Sequence, residues 1–284
     1  MADNGYIKSP LNYIGGKYKQ LPQLFHWFPR RMNTMVDLFA GGGDVFVNIH
    51  AKKIIANDIN YHVIGIFSAF KQLEIHELLQ QIEGLINEWH LSQTNEAAYI
   101  SFRENYNQHP DPVKLFVLTC YSFNYQIRFN SHHKFNNPFG RNRSWFNPSL
   151  RENLIKFHSK LRNVNFYSEN FKDMDLSLLG QGDFVYADPP YLITTGSYND
   201  GKRGFEGWSE REEFALYEVL DSLNKAGVKF ALSNVTMHKG RTNDILNDWR
   251  CRYHTHKINY SYRNSSYHGK NTDQITQEVL ITNY

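Results

Sequence analysis

The tetrapeptide Asp188-Pro189-Pro190-Tyr191 follows directly on an apolar run, Phe184-Val185-Tyr186-Ala187. Its two prolines restrict the backbone and lack N–H donors, so the turn presents a carboxylate and carbonyls as acceptors beside an aromatic ring. That set suits an amino group on a flat heterocycle. Asp188 and the Pro189 carbonyl would each accept one hydrogen of an exocyclic NH2, drawing the nitrogen lone pair out of ring conjugation towards an electrophile, and Tyr191 would stack on the ring. The plainer reading is a proline-rich turn ending a strand, with Asp188 capping a helix.

A second group is Asp37-Leu38-Phe39-Ala40-Gly41-Gly42-Gly43, followed by Asn57-Asp58 after the next apolar run. A glycine cluster after a strand can be a plain turn. No Gly-Lys-Ser/Thr follows Gly43, which speaks against a phosphate-binding loop, and the last glycine of the dinucleotide fingerprint is missing. Asp58, at a strand end, can take both hydroxyls of a ribose. Cytosine C5 chemistry needs a nucleophilic cysteine; Cys120 lies in an apolar helix and Cys251 far from the motifs, so both read as structural. The thirteen histidines are scattered, with His132-His133 a loop pair and His254 and His256 on one strand face, and no Cys-x-x-Cys exists, so no metal is expected.

The elements that must position these residues alternate. Short apolar runs predict strands at Met35 to Phe39, Ile54 to Ala56, Val164 to Tyr167, Phe184 to Ala187 and Phe230 to Leu232. His254 to Tyr262 and Glu278 to Thr282 are expected as an antiparallel edge pair. Ile75, Leu78, Leu79, Ile82, Leu85, Ile86 and Trp89 mark one face of a helix, and Leu115 to Phe123 reads as a buried helix leading into a polar and aromatic loop, Asn124 to Pro148. Ser209 with Glu212 forms a capping box for a helix with apolar residues Phe214, Leu216, Val219, Leu220 and Leu223. The preceding Leu192 to Trp208 segment carries four glycines and reads as a mobile loop. The whole is an α/β sheet with a helical insertion after the second strand. Ligands of such sheets sit beyond the carboxyl ends of the strands, where Gly41 to Gly43, Asp58 and Asp188 would converge.

These motifs, in this order, resemble the DNA adenine N6-methyltransferases of the Dam and DpnII type, the alpha subgroup of the D12 class. Asn12-Tyr13-Ile14-Gly15-Gly16-Lys17 is similar to the family's Lys-Trp-x-Gly-Gly-Lys segment, Asp37 to Gly43 to its cofactor loop and Asn57-Asp58-Ile59-Asn60 to its ribose turn. Phe123-Asn124 through Phe135 to Arg141 resembles the target-recognition hairpin, Asp188 to Tyr191 the catalytic motif, and Leu232-Ser233-Asn234 and Ile281 to Tyr284 the segments near the end. The resemblance implies a Rossmann-like class I methyltransferase sheet with an inserted, mainly helical target-recognition domain: residues 1–60 and 164–284 catalytic, 61–163 recognition. It implies S-adenosyl-L-methionine as cofactor, held by Tyr13, Lys17, Asp37, Phe39, Gly41, Asp58 and Asp188, and catalysis by Asp188, Pro189 and Tyr191. It implies double-stranded DNA read by Asn12, Asn124, Gln126, Arg128, Lys134, Pro138, Arg141 and Arg143, with the target adenine flipped out, and a functional pairing with a restriction endonuclease.

Four positions in three segments depart from the family pattern. Tyr125-Gln126 stands for Gly-Leu, Asn12 for a lysine that touches a guanine in GATC-specific members, and Asn170 for an Asp in a Gly-Asp-Phe segment. GATC is therefore not carried over as the target, whereas Arg128 implies that one guanine contact persists.

Composition sets outer bounds. With 41% hydrophobic and 15% aromatic residues over 284 positions, the chain can bury a sizeable core, which excludes a disordered or fibrous protein. The net charge of +3 conceals an uneven distribution: residues 114–162 hold nine basic side chains and one acid, a local +8 against −5 for the remainder. A second acid-free stretch, Trp249 to Thr272, adds five basic residues. Such concentration is the footprint of a polyanion partner, or of a solvated surface. Two cysteines argue against a disulfide framework, and residues 1–10 carry no apolar run, so no secretory signal is expected. The longest apolar stretches, such as Val63 to Phe70 and Leu115 to Phe123, fall short of the roughly 18 to 20 residues that span a bilayer, so no membrane anchor is expected and a prokaryotic or phage cytoplasm fits. Beside the leading reading stand two others: a methyltransferase acting on RNA or another amino group, and a catalytically silent DNA-binding relative, whose mark would be a damaged Asp188 to Tyr191 motif.

Overall fold

The computed structural model describes residues 5–194, 207–259 and 276–284. In chain order the elements are α1 (Leu21–Trp27), β1 (Thr34–Asp37), β2 (Lys53–Asn57), α2 (Tyr61–Gln72), α3 (Ile75–Glu88), α4 (Glu96–Gln108), α5 (Pro112–Tyr121), α6 (Pro148–His158), β3 (Val164–Tyr167), β4 (Phe184–Ala187), α7 (Glu210–Lys225), β5 (Lys229–His238), β6 (Arg241–Thr242), α8 (Asp244–Arg250), β7 (His254–Ile258) and β8 (Thr276–Thr282). The strands form one sheet in the order β3-β2-β1-β4-β5-β8-β7, with β6 paired to β5. β3, β2, β1, β4 and β5 run parallel, while β8 is antiparallel to both β5 and β7. The chain leaves β1 for β2 on one side and later returns to β4 on the other. The strand order therefore reverses beside β1, where an open α/β sheet has its ligand crevice.

Pleating sorts the core. Met35, Ile54, Phe184, Tyr186, Ala231 and Leu280 face one hydrophobic cluster, and their neighbours Val36, Val185, Phe230, Leu232 and Ile281 face the other, as a period of two requires. The first cluster runs without interruption from the sheet through α2 and α5 into the insertion, taking in Phe67, Phe116, Phe102, Phe129 and Phe135. Residues 61–163 thus have no core separate from that of the sheet. Each fully buried Phe here is worth about 2 to 3 kcal/mol of transfer free energy.

Local chemistry explains the helix starts. Asp111 and Asn147 cap α5 and α6, each followed by proline at the first helical position, and Ser209 with Glu212 caps α7. Two expectations need correction. Phe214 is 53% exposed: the buried stripe of α7 is Glu213, Leu216, Tyr217, Leu220 and Leu223, so the inward face is rotated away from Phe214. β5 extends to His238, beyond the apolar run, because β8 pairs along its whole length with an irregularity between Val235 and Met237. The expected loop Leu192 to Trp208 lies outside the described residues from 195 to 206, as do residues 260–262 of the expected edge strand and Arg263 and Lys270 of the basic stretch. Among the described residues no helix is long and apolar enough to cross a membrane.

Candidate active site and recognition hairpin

Three carboxylates meet at the carboxyl ends of β1, β2 and β4. Asp58 accepts the Gly41 N–H at 2.8 Å through Oδ2 and the Asn60 N–H at 2.8 Å through Oδ1, which locks the glycine loop to the Asn57–Asn60 segment. Asn57 adds a second tie, donating to the Leu38 carbonyl (3.2 Å) and the Glu169 carbonyl (3.0 Å). Asp37 is 1% exposed; among the described residues the Phe46 N–H is directed at its carboxylate, and neither oxygen receives a hydrogen bond of full geometry. Burial, then the like charges of Asp188 and Asp58, push its carboxyl well above the ordinary range.

The glycine loop is shaped by what covers it. Gly43 has φ +86°, and a Cβ there would lie 2.8 Å from the Phe46 ring and 3.0 Å from that of Phe157. A Cβ on Gly42 would lie 2.8 Å from Cβ of Tyr13, whose ring also covers Gly41. Tyr13 thus sits directly over the loop, and its hydroxyl is 3.5 Å from Asn60 Nδ2. On the other side Phe39 meets Phe171 (5.4 Å between centroids) and Trp208 (5.7 Å), forming an aromatic wall. Glu213, fully buried, receives Trp208 Nε1, the Tyr217 hydroxyl and the amides of Asn234 and Asn243, which fixes that wall to α7 and β5.

Asp188 is held from one side. Lys17 Nζ lies 3.0 Å from its Oδ1, and the Tyr191 hydroxyl lies 2.9 Å from the same oxygen. Oδ2 takes no hydrogen bond among the described residues. Lys17 also pairs with Glu278 Oε1 at 3.1 Å. Burial opposes the charge on Lys17, yet the two carboxylates hold its ammonium above the usual lysine range. For Asp188, burial is the largest effect and raises its carboxyl; the nearby Lys17 charge offsets this in part and Glu278 adds to it. Tyr191, read from sequence as a stacking ring, has its hydroxyl anchored among Lys17, Asp188 and Glu278. Pro189 is buried and follows Asp188 in the same turn.

Most of the expected recognition residues lie on one hairpin and the turn that follows it. Pairing of Phe129 with Phe135 and of Ser122 with Phe139 makes a hairpin. Asn107 clamps Phe135 through both backbone groups (2.8 and 3.1 Å), and the Asn137 amide donates to the carbonyls of Phe123 (2.9 Å) and Gln126 (2.8 Å). Held by these inward bonds, the hairpin leaves Arg128 and Lys134 exposed, and neither side chain has an ion-pair or hydrogen-bond partner among the described residues. Arg141 is paired with Glu96, and Arg143 binds Asn124 Oδ1 at 3.0 Å while stacking over Phe123. Asn12 donates to the Asn124 carbonyl at 2.7 Å, which joins the segment bearing Tyr13 and Lys17 to the hairpin. Gln126 is half-buried and Pro138 exposed. Tyr125, one of the departures from the family pattern, donates its hydroxyl to the Arg143 carbonyl at 3.1 Å. Asn170 folds its side chain back to accept the Lys172 N–H at 3.1 Å.

Several residues escaped the sequence reading. Glu278 was read only as the start of a strand; the available signal was an acid placed directly before the apolar run Val279-Leu280-Ile281. Glu213 carries no such mark. His62 stacks on Phe129 at 3.9 Å, 10° from parallel, and so links the segment after Asn60 to the hairpin. Burial, then the charge of His133, lowers its imidazole to about 4. Of the two cysteines, Cys120 is buried and Cys251 exposed. Among the described residues no group of three or more His, Cys, Asp or Glu is arranged to hold a metal ion.

S-adenosyl-L-methionine fits this donor set. A buried carboxylate at Asp37 that receives no hydrogen bond of full geometry among the described residues, beside those of Asp58 and Asp188, suits a ligand bearing an ammonium, a sulfonium and a ribose diol, and the Phe39 wall suits its purine.

Comparison with known proteins agrees with this arrangement. Residues 13–274 match the model of the D12 class N6 adenine-specific DNA methyltransferases. The chain is 51% identical over 283 residues to modification methylase StsI of Streptococcus sanguinis, covering 98% of this chain and 43% of that protein. It is 50% identical to type II methyltransferase M.FokI of Planomicrobium okeanokoites, with 99% and 43% covered. A DNA adenine methylase of Escherichia coli (strain K12) is 27% identical over 272 residues, covering 93% and 92%. The chain spans less than half the length of the first two relatives. With the family's motifs placed around one crevice and the match extending over most of its length, the chain belongs to the D12 class of N6 adenine-specific DNA methyltransferases.

Proposed function

We propose that the chain transfers a methyl group from S-adenosyl-L-methionine to N6 of a flipped-out adenine in duplex DNA, as the modification partner of a restriction endonuclease. The observation that carries this reading is the one-sided hold on Asp188: among the described residues the bonds from Lys17 and Tyr191 both fall on Oδ1, which leaves Oδ2 and the Pro189 carbonyl as acceptors for an amino group. The names of the relatives StsI and M.FokI support the pairing with an endonuclease.

In this reading Asp58 takes the ribose hydroxyls, Phe39 faces the purine, and Asp37, Lys17, Tyr13 and Gly41 complete the pocket. Bound there, S-adenosyl-L-methionine supplies an electrophilic methyl group. Asp188 and the Pro189 carbonyl accept the two amino hydrogens, orienting the nitrogen lone pair for in-line attack. Tyr191, fixed through its hydroxyl, lies against the extrahelical base. The methylated nitrogen is strongly acidic, and its extra proton leaves to Asp188 or water. Arg128 reads a guanine edge, Lys134, Arg141 and Arg143 meet phosphates or bases, and Asn12, Asn124, Gln126 and Pro138 complete the reading surface.

Methyl transfer from labelled S-adenosyl-L-methionine to duplex DNA and to RNA of the same sequence tests this. Transfer to DNA, mapped to N6 of adenine, and its loss in Asp188→Ala with cofactor binding largely kept, is expected. Preference for RNA, or turnover by Asp188→Ala, would overturn it.

A further inference from the structure

Glu278 lies on β8, across the sheet from the catalytic motif, and is 4% exposed. Its Oε1 is 3.1 Å from Lys17 Nζ and 3.0 Å from the Tyr191 hydroxyl, and its Oε2 accepts the Gln20 amide at 2.8 Å. Both of the groups that hold Asp188 Oδ1 are therefore held in turn by Glu278. The single Tyr191 proton serves either carboxylate, and Lys17 bridges the two. Among the described residues a single cation, Lys17, is thus shared between two carboxylates, whereas a simple Lys17–Asp188 pair would match one with one.

We infer that Glu278 is a positioning residue for Asp188: it draws Lys17 and Tyr191 to the Oδ1 side and keeps the pair from neutralising the carboxylate, so that Oδ2 remains a strong acceptor. This rests on the methyltransferase reading above. The groups acting on Asp188 are Lys17 from the N-terminal segment, Glu278 from β8, Tyr191 from its own turn, and Tyr186 and Asp37 from β4 and β1. The like charge of Glu278 raises the Asp188 carboxyl, so its removal lowers it.

Glu278→Gln isolates the charge. Gln20 Oε1 is buried without a hydrogen-bond partner among the described residues, so a flip of that amide lets Gln20 accept from the new amide and keeps its bond to position 278. Two measurements are made on the full chain, the pH profile of kcat and the titration of the Asp188 carboxyl by carbon-13 NMR without cofactor or DNA. In Glu278→Gln, kcat should fall between about tenfold and a hundredfold with an unchanged melting temperature. The acid limb of the profile and the carboxyl titration should both move to lower pH, and Glu278→Asp, which restores the charge, should move them back. An unmoved titration overturns the inference, whatever happens to kcat, because a purely structural role would lower activity and stability together. A shifted titration in a chain whose wild type transfers no methyl group sustains the effect of Glu278 on Asp188 and overturns the methyltransferase reading.

Discussion

Adjacent glycines of the loop after β1, where the proposed cofactor site lies, should fail in different ways. Gly43 adopts φ +86°, and an added methyl group would press on the rings of Phe46 and Phe157, both fully buried. The left-handed conformation costs a non-glycine residue about 1 to 2 kcal/mol, and overpacking of a filled core about 1 to 3 kcal/mol. Gly43→Ala should therefore lose about 2 to 5 kcal/mol of folding stability, lowering the urea midpoint by about 1 M or more. Gly42 has no positive φ, and its methyl group would meet Tyr13 Cβ at 2.8 Å. Tyr13 sits in a segment whose residues Asn12, Ile14, Gly15 and Gly16 are exposed, so the segment can retreat at low cost. Gly42→Ala should lose less than about 1 kcal/mol of stability, but weaken binding of S-adenosyl-L-methionine about tenfold or more, about 1.4 kcal/mol. Urea unfolding and calorimetric titration of both variants separate the two effects. Equal stability losses, or intact cofactor binding by a folded Gly42→Ala, would refute this account of the loop.

Further outcomes are expected elsewhere. The folded-state value of His62 lies below its ordinary 6.5, so the neutral ring contributes stability that is fully present above pH 6.5 and lost as pH falls towards 4. That loss, about 1 to 3 kcal/mol, should be absent in His62→Leu when the two unfolding free energies are compared across this window. Arg128→Ala should cost about 1 to 3 kcal/mol of discrimination at one base pair, whereas Lys134→Ala should weaken all duplexes alike and reduce the salt slope by about one; binding titrations at several salt concentrations distinguish them. Cys251 should react with a maleimide in the native state and Cys120 only on unfolding, as peptide mass mapping would show; rapid native labelling of Cys120 would contradict its packing in α5.

The legible parts of the fold were those where local sequence and burial agree. Val164–Tyr167 and Phe184–Ala187 were delimited to the residue: Phe184–Ala187 is a central parallel strand buried throughout, and Val164–Tyr167, at the edge of the sheet, is set off by the polar residues Arg162-Asn163 before it and Ser168-Glu169-Asn170 after it. The convergence of Gly41, Asp58 and Asp188 followed from topology alone. Where tertiary pairing decides, the sequence was mute. Ser233 to His238 gives no strand pattern and is a strand because β8 lies beside it. The inward face of α7 contains Glu213, a charge that no periodicity argument would place inside, and it is tolerated because four donors surround it. Glu278 was hidden for the same reason: its partners, Lys17 and Tyr191, come from positions 261 and 87 residues away.

The unbroken hydrophobic cluster has a consequence for how new target sites could be acquired. Since Phe102, Phe129 and Phe135 share packing with the sheet residues Met35 and Phe184, the hairpin and its helices are no cassette. Transplanting residues 61–163 into a relative would replace half of a shared interior and leave mismatched volumes on both sides of the seam. If the hairpin reads DNA as proposed, altered specificity should instead come through single exchanges at exposed side chains such as Arg128 and Lys134, which carry no hydrogen bond or ion pair among the described residues. In this chain the alphabet of recognition can be edited letter by letter, but not by swapping the page.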